Sequence, residues 1–252
     1  MLDPSAIALA FGAGSVGGAM NALAGGGTFA TLPSLIALGL PANAANATSN
    51  VALLPGAATS AAEFRDELEP VGGLSVRALS TITFLGGVVG SILLVLTPTR
   101  AFDFIIPWLL LVGFVVMLFG KAASERLHER VTIGRKALII AQSLLAIYGG
   151  YFGGGVGLMT TAAYGLLANA HPRSLFAVRT LMLAIANFAA AIVFISVGLV
   201  RWAACLPMLV GSTIGGWAGA KLGRKLSPTV VRAWTLLVTA ATTITFFVRA
   251  YG

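Results

Sequence analysis

Residues 24–33 read AGGGTFATLP and residues 152–161 read FGGGVGLMTT. Each triple glycine precedes an apolar stretch, 28–39 or 156–168, that is too short to cross a hydrocarbon core, which needs about 20 residues. Three consecutive glycines disfavour helix by about 1 kcal/mol each. Each triplet therefore predicts a break between a helix and a half-helix, and these two breaks decide the architecture of the chain.

The composition is that of an all-α polytopic membrane protein. Hydrophobic residues make up 58% of the chain and charged residues 10%, whereas soluble domains carry about 25% charged residues. The net charge of +8 does not indicate nucleic-acid binding, because the Lys and Arg residues lie between apolar segments, where they report orientation. The apolar segments are predicted at 5–24, 28–39, 43–62, 74–97, 102–120, 137–152, 156–168, 174–198, 202–222 and 228–249.

The order of features is the same in the two halves of the chain. After each glycine break, Ala47-Thr48 is echoed by Arg179-Thr180, and the pair Gly86 and Gly90 is echoed by Gly211 and Gly215. Repeats at such a spacing indicate duplicated structural units. We predict a first transmembrane repeat at 1–120, a cytoplasmic connection at 121–132 and a second transmembrane repeat at 133–252.

The basic residues predict how the repeats are oriented. Lys and Arg concentrate in 121–136 and 221–225, which we place in the cytoplasm. Each repeat is then a re-entrant hairpin at a Gly-Gly-Gly break plus three transmembrane helices. Three is odd, so the second repeat is inverted relative to the first, as in many secondary transporters. A rival count makes 5–24 a full span. We expect a multi-pass protein of the bacterial cytoplasmic (inner) membrane with both termini on the outer, periplasmic side.

Irregular backbone at membrane depth is tolerated where it is buried in protein or lines a cavity. The first N–H groups of each half-helix lack helical partners and carry partial positive charge, so two such N-termini can bind an anion. The competing interpretation of membrane glycines is tight helix packing, which we retain for Gly86, Gly90, Gly211, Gly215 and Gly219. The candidate substrate-binding residues near the breaks are Gly25, Gly26, Gly27, Thr28, Thr31, Asn46, Thr48, Asn50, Gly153, Gly154, Gly155, Val156, Thr160, Arg179, Thr180 and Asn187.

Arg179 is the most informative charge, because it falls about 10 Å into its span at 1.5 Å per residue. An intramembrane charge is a functional hypothesis by default, and here it is a counter-charge for the anion. The alternative is that its side chain snorkels to the cytoplasmic interface.

We expect neither enzymatic activity, nor a metal, nor a cofactor. Cys205 is the only cysteine, and we interpret it as a small apolar core residue. Residues 12–17, GAGSVG, fit the dinucleotide-binding pattern only literally, because no strand precedes them. Ser15 has no membrane-embedded His or Lys partner for nucleophilic catalysis.

The sequence GGGTFATLP, then Leu40-Pro41, then Ala47-Thr48-Ser49, resembles the sulfite exporter TauE/SafE family, also called the toluene sulfonate uptake permease family. The second copy, GGGVGLM at 153–159 followed by Arg179-Thr180, resembles the second repeat of that family. The resemblance covers nearly the whole chain. It implies transport of sulfite, sulfonates or related sulfur-containing anions, often outward. Pro33 has no proline counterpart after the second triplet, where Thr160-Thr161 stands.

The leading hypothesis is therefore an alternating-access exporter of small sulfur-containing anions such as sulfite, a sulfonate or sulfoacetate. Two alternatives stay open: an anion channel or uniporter with the same site, and an uptake permease for an organosulfonate. The expected partners are the anionic substrate and the lipid bilayer, and no nucleic acid. The coupling ion, a proton or sodium if there is one, and a possible homodimer stay undecided.

Overall fold

The computed structural model describes residues 3–128, 135–168, 172–223 and 225–252. Within these ranges the chain is a bundle of α-helices whose only β-type pairing is an isolated bridge between Val71 and Leu74. The helices are α1 (Pro4–Leu23), α2 (Thr28–Ala37), α3 (Ala42–Glu63), α4 (Val76–Leu96), α5 (Thr99–His128), α6 (Arg135–Tyr151), α7 (Val156–Ala168), α8 (Pro172–Ser196), α9 (Trp202–Gly223) and α10 (Pro228–Tyr251).

Six helices in the described ranges, namely α1, α4, α5, α8, α9 and α10, are long and apolar enough to cross a membrane. Large apolar side chains such as Leu85, Leu96 and Leu237 are exposed on their outer faces, as lipid contact requires. The predicted all-α membrane class and both helix breaks are confirmed. α2 and α7 have 10 and 13 residues, and both begin where the triple glycines end.

One helix differs clearly in length from the sequence-based expectation. α5 continues to His128, eight residues into the predicted connection at 121–132. The rest of that connection, 129–132, lies outside the described residues. α1 has the expected 20 residues and is long enough to span a membrane alone, as in the rival count, so the first hairpin pairs a full-length arm with a short one.

The longest helix contact joins the first helix of one half to the fourth helix of the other. α1 lies along α9 in the same direction: a Cβ on Gly14 would overlap the Met208 carbonyl, and one on Gly18 would overlap Ser212. Gly223 lies 2.9 Å, measured from its ideal Cβ position, from a methyl of Leu23. Small residues let helix backbones approach closely in a membrane. The predicted packing role of Gly211, Gly215 and Gly219 is confirmed, since each faces α1.

The same contact recurs with the halves exchanged. α6 lies along α4 in the same direction, with Gly86 against Ala146 and with Gly87 and Gly150 against each other. Gly90 faces the α6 backbone, which confirms packing as its role too. α3 packs on α9 just as α8 packs on α4. Each of these helix contacts therefore has a counterpart between the equivalent helices of the other half of the chain.

Helices at equivalent positions in the two halves run in opposite directions where they touch. Along the α3–α8 contact, Phe64 stacks edge-on to Phe176 with ring centroids 4.8 Å apart, whereas earlier residues of α3, Ala57 and Ala61, share an apolar cluster with the later α8 residues Leu183 and Ala184. Along α5–α10, Asp103 faces Arg249 and Leu118 accepts a hydrogen bond from Arg232. Both pairs are antiparallel.

Candidate functional site

Both breaks end a helix in the same way. Gly25 and Gly153 follow α1 and α6 with φ of +80° and +78°, a left-handed conformation that glycine adopts without a Cβ penalty. The N–H of Gly25 bonds the Met20 carbonyl at 2.9 Å, and the N–H of Gly153 bonds the Tyr148 carbonyl at 3.4 Å. The glycine triplets are thus helix terminators, and each is followed by a new helix.

The two breaks lie against each other. A Cβ on Gly25 would stand 2.5 Å from the Gly157 Cα atom, and a Cβ on Gly153 would stand 3.0 Å from Asn50 Nδ2 and 3.7 Å from Thr28 Oγ1. The beginning of α2 therefore passes beside the second break while the beginning of α7 passes beside the first. Two breaks that lie far apart in the sequence form one buried centre.

The carboxyl end of each first arm is capped by a side chain from the other half of the chain. Arg179 of α8 donates from Nη2 to the carbonyl of Ala22 at 2.9 Å and to that of Leu23 at 3.5 Å. Asn46 of α3 donates from Nδ2 to the carbonyl of Tyr151 at 3.0 Å. The last carbonyls of a helix lack intrahelical donors, so these side chains satisfy them across the interface between the halves.

The amino end of α7 keeps its hydrogen-bond donors free. The N–H groups of its first three residues, Val156 to Leu158, have no acceptor in the described part of the chain. At α2 only the N–H of Thr28 is free, because those of Phe29 and Ala30 bond the carbonyls of Gly26 and Gly27. The second half-helix therefore presents more free N–H groups than the first.

Arg179 borders this free helix end. Its Cδ lies 3.5 Å from the position of a Cβ on Gly157, its residue is 4% exposed and its Nε has no partner. The guanidinium stacks 3.9 Å from the centre of the Phe176 ring, and among the described residues no carboxylate pairs with it. The side chain is held in the protein interior by these contacts.

Several predicted site residues use their polar atoms elsewhere. Thr31 shares a 2.5 Å hydrogen bond with Ser49, and Thr48 accepts from the N–H of Arg201 just before α9. Thr160 and Thr180 donate to carbonyls of their own helices. Val156 packs in an apolar cluster. Asn187 is buried on α8, and no hydrogen bond ties it to either break in the described ranges.

Four residues that the sequence analysis did not select help to build the centre. The amide oxygen of Asn21 accepts the N–H of Gly27 at 2.6 Å, and the Tyr148 hydroxyl lies 2.9 Å from the Gly154 carbonyl. The fully buried Phe29 ring packs against Gly113 and Gly155. Asn21 and Tyr148 are polar residues within one turn or so of a glycine triplet, and that proximity was the available signal.

Thr242 of α10 is the fourth, and it repairs a helix defect. Its hydroxyl donates to the Phe29 carbonyl at 2.9 Å. Pro33 lies four residues after Phe29 inside α2 and has no N–H, so it cannot supply the usual helical donor. Nothing in the local pattern around Thr242 indicates this partner.

The helices and the buried, broken centre define a multi-pass membrane protein of the transporter class. A family model described as Sulfite exporter TauE/SafE matches residues 10–246. The chain belongs to the TauE/SafE sulfite exporter family, as its sequence motifs predicted, and is a membrane transporter.

The chain is also similar to several transporters from bacteria. It is 27% identical to the "Probable membrane transporter protein YfcA" of Escherichia coli strain K12, over all of this chain and 93% of the relative. It is 26% identical to the "Probable membrane transporter protein" of Haemophilus influenzae, over 92% of this chain and 91% of the relative. The "Probable membrane transporter protein ORF9" of Sinorhizobium sp is 27% identical over 94% and 91%. No solved structure matches the chain significantly.

Proposed function

We propose that this protein exports small sulfur-containing anions, such as sulfite, a sulfonate or sulfoacetate, across the bacterial cytoplasmic membrane. One observation carries the proposal: the buried Arg179 guanidinium has no carboxylate partner among the described residues and lies beside the free N–H groups of α7. A charge in the membrane interior is costly unless it is compensated. An oxyanion bound between Arg179 and the α7 amino end would compensate it and accept those N–H groups.

The transport cycle that we propose is alternating access between two inverted repeats. Equivalent helices α3 and α8, and α5 and α10, are antiparallel at their contacts, as a two-fold axis in the membrane plane requires. The backbone contact between Gly25 and Gly157 closes the path at the centre, which favours an alternating gate over a permanently open channel. Rocking one repeat against the other would separate the two breaks and expose the anion to one side at a time.

The chemical class of the substrate follows from the site and the family together. Backbone N–H groups and one guanidinium bind oxygens of a small oxyanion, and the family description names sulfite. The acidic residues Glu63, Asp66, Glu67 and Glu69 lie at or just beyond the end of α3. None of the carboxylates in the described residues pairs with Arg179, so its positive charge is available to an anion.

Counterflow in proteoliposomes tests the proposal. Vesicles loaded with unlabelled sulfite should accumulate radiolabelled sulfite transiently, and sulfate, thiosulfate, sulfoacetate and taurine should be compared as internal competitors. Saturable exchange supports the transporter. Ohmic single-channel current without counterflow would show that the protein is an anion channel instead of a transporter. Net inward transport of an organosulfonate would show that it is an uptake permease instead of an exporter.

A further inference from the structure

Two buried amide oxygens next to the second break have no hydrogen-bond donor among the described residues. They are Asn46 Oδ1 and Asn50 Oδ1, and the two residues are 0% and 3% exposed. A buried acceptor without a partner costs about 1–3 kcal/mol, so such an atom in a functional centre indicates a missing donor or cation. Asn46 and Asn50 lie one turn apart on α3, on the same face of the helix.

The hydrogen bond of Asn46 determines which atom of its side-chain amide stays without a partner. Its partner, the Tyr151 carbonyl, can only accept, so Nδ2 must point to it and Oδ1 remains. The Asn50 Nδ2 atom lies 3.0 Å from the position of a Cβ on Gly153, two residues after Tyr151. The Asn46 nitrogen therefore bonds the second break and the Asn50 nitrogen lies next to it, which leaves both oxygens as acceptors. Free acceptor oxygens repel an anion.

The carboxyl end of α6 also makes the surroundings of these two oxygens electronegative. Tyr151 is the last residue of α6, and a helix carries about half a negative charge at its carboxyl end. The free donors, by contrast, belong to α7, which begins five residues later at Val156. Five residues span at most about 18 Å, so an acceptor-rich region lies next to the donor-rich region around Arg179.

We propose that Asn46 Oδ1 and Asn50 Oδ1, at the carboxyl end of α6, form a binding site for a monovalent cation, Na⁺. Neutral oxygens and a helix carboxyl end are the ligands that broken helices in transporters offer to Na⁺. A divalent ion would call for carboxylates, and the described residues contain no group of three or more His, Cys, Asp or Glu side chains that could hold a metal ion. Backbone carbonyls of the break and water complete the coordination.

The Na⁺ site makes anion binding depend on Na⁺, a consequence that rests on the proposed anion function. A cation beside the anion site attracts the anion through the low-dielectric interior. Coupling between two binding sites is reciprocal. Na⁺ therefore raises the affinity for sulfite by the same factor by which sulfite raises the affinity for Na⁺.

The test begins with cation binding alone, without sulfite. Thermal unfolding of the purified protein is measured in NaCl, KCl and choline chloride at equal ionic strength. We expect a saturable rise in melting temperature with NaCl that exceeds the rise with choline chloride. Equal shifts in all three salts, the result expected if ordered water satisfies the two oxygens, would overturn the site.

Variants locate the ion. Asn50→Ala removes one acceptor, and we expect about a tenfold weaker apparent affinity for Na⁺, since one lost ligand changes the binding free energy by roughly 1.4 kcal/mol. Asn50→Asp keeps an oxygen and adds charge, so it should retain or strengthen the Na⁺ response even if the alanine variant folds poorly. Asn43→Ala is the matched control, because the Asn43 oxygen already accepts the Ala44 N–H. A Na⁺ response that survives unchanged in Asn50→Ala contradicts the assignment.

Sulfite binding is then measured with Na⁺ and with choline. A Na⁺-independent sulfite affinity removes the coupling but leaves the anion site intact. A Na⁺ response without any anion binding removes the proposed transport substrate but leaves the cation site intact. The two proposals therefore fail separately.

Discussion

Arg179 Nη2 donates a 2.9 Å hydrogen bond to the carbonyl of Ala22, 157 positions earlier in the chain. Asn46 of the first half donates the corresponding hydrogen bond to the Tyr151 carbonyl of the second half. The carboxyl end of each broken helix is thus hydrogen-bonded to a side chain of the other half. Any movement of one half against the other must therefore strain or exchange these two hydrogen bonds. The bonds link the fold to the gating motion that we propose.

Substitution can separate the helix-capping hydrogen bond of Arg179 from the role in anion binding that we propose for it. Arg179→Met leaves the Ala22 carbonyl without a donor, which should destabilise the protein by about 1–3 kcal/mol, and it removes the charge. Arg179→Lys keeps the charge and one donor. We expect the sulfite-dependent rise in melting temperature to be lost in the methionine variant and partly retained in the lysine variant.

Arg249→Gln, at the exposed contact where Arg249 faces Asp103 at 4.0 Å, is the control and should leave the sulfite response unchanged. An unchanged response in Arg179→Met would remove Arg179 from the anion site and leave it only as a helix cap.

The left-handed glycines give a second prediction. Gly25→Ala places a Cβ at positive φ, at a cost of about 1–2 kcal/mol, and drives it into the Gly157 backbone. Gly39→Ala meets the same φ penalty, at +84°, but no atom lies within 4 Å of the new Cβ. We expect transport to be abolished only in the Gly25 variant, and SDS-titration unfolding to show a clearly smaller loss of stability for Gly39→Ala.

Local chemistry explains how much of the fold and of the candidate site could be predicted from the sequence. The breaks, the half-helices and the packing glycines were predictable because glycine runs and apolar length act locally. The partners of Arg179 and Asn46 were not, because they depend on how α8 and α3 lie against the other half. Asn46 and Asn50 were expected to donate to the anion, whereas in the structure their free atoms are acceptors.

The bond between Thr242 and Phe29 gives a double-mutant cycle. Thr242→Val keeps the side-chain shape and removes the donor, so it should destabilise the protein by about 1–3 kcal/mol. Pro33→Ala restores an N–H that can bond the Phe29 carbonyl within α2. In that background the cost of Thr242→Val should fall to within about 0.5 kcal/mol of zero. An equal cost in both backgrounds would show that the hydroxyl acts through another contact.

The buried Gln142 links two helices through hydrogen bonds that the sequence analysis did not anticipate. Tyr164 donates to Gln142 Oε1 at 2.6 Å, and Gln142 Nε2 donates to Thr83 at 2.6 Å. Tyr164→Phe should cost about 1–3 kcal/mol because it leaves the amide oxygen unsatisfied. Adding Gln142→Met should then cost less than Gln142→Met does alone, since interacting sites are non-additive. Additive costs in SDS-titration unfolding would contradict this network.

Labelling from the outside tests the inverted arrangement. Arg201 precedes α9 and Glu69 precedes α4, so these two residues occupy equivalent connections in the two halves. Lys225 before α10 and Arg100 at the start of α5 form a second equivalent pair. All four residues are exposed. The inverted repeat predicts that members of each pair lie on opposite sides of the membrane. In a Cys205→Ala background, a membrane-impermeant maleimide added to intact cells should label cysteines at 100 and 201. Cysteines at 69 and 225 should react only after the membrane is opened, and labelling of both members of a pair from one side would exclude the inversion.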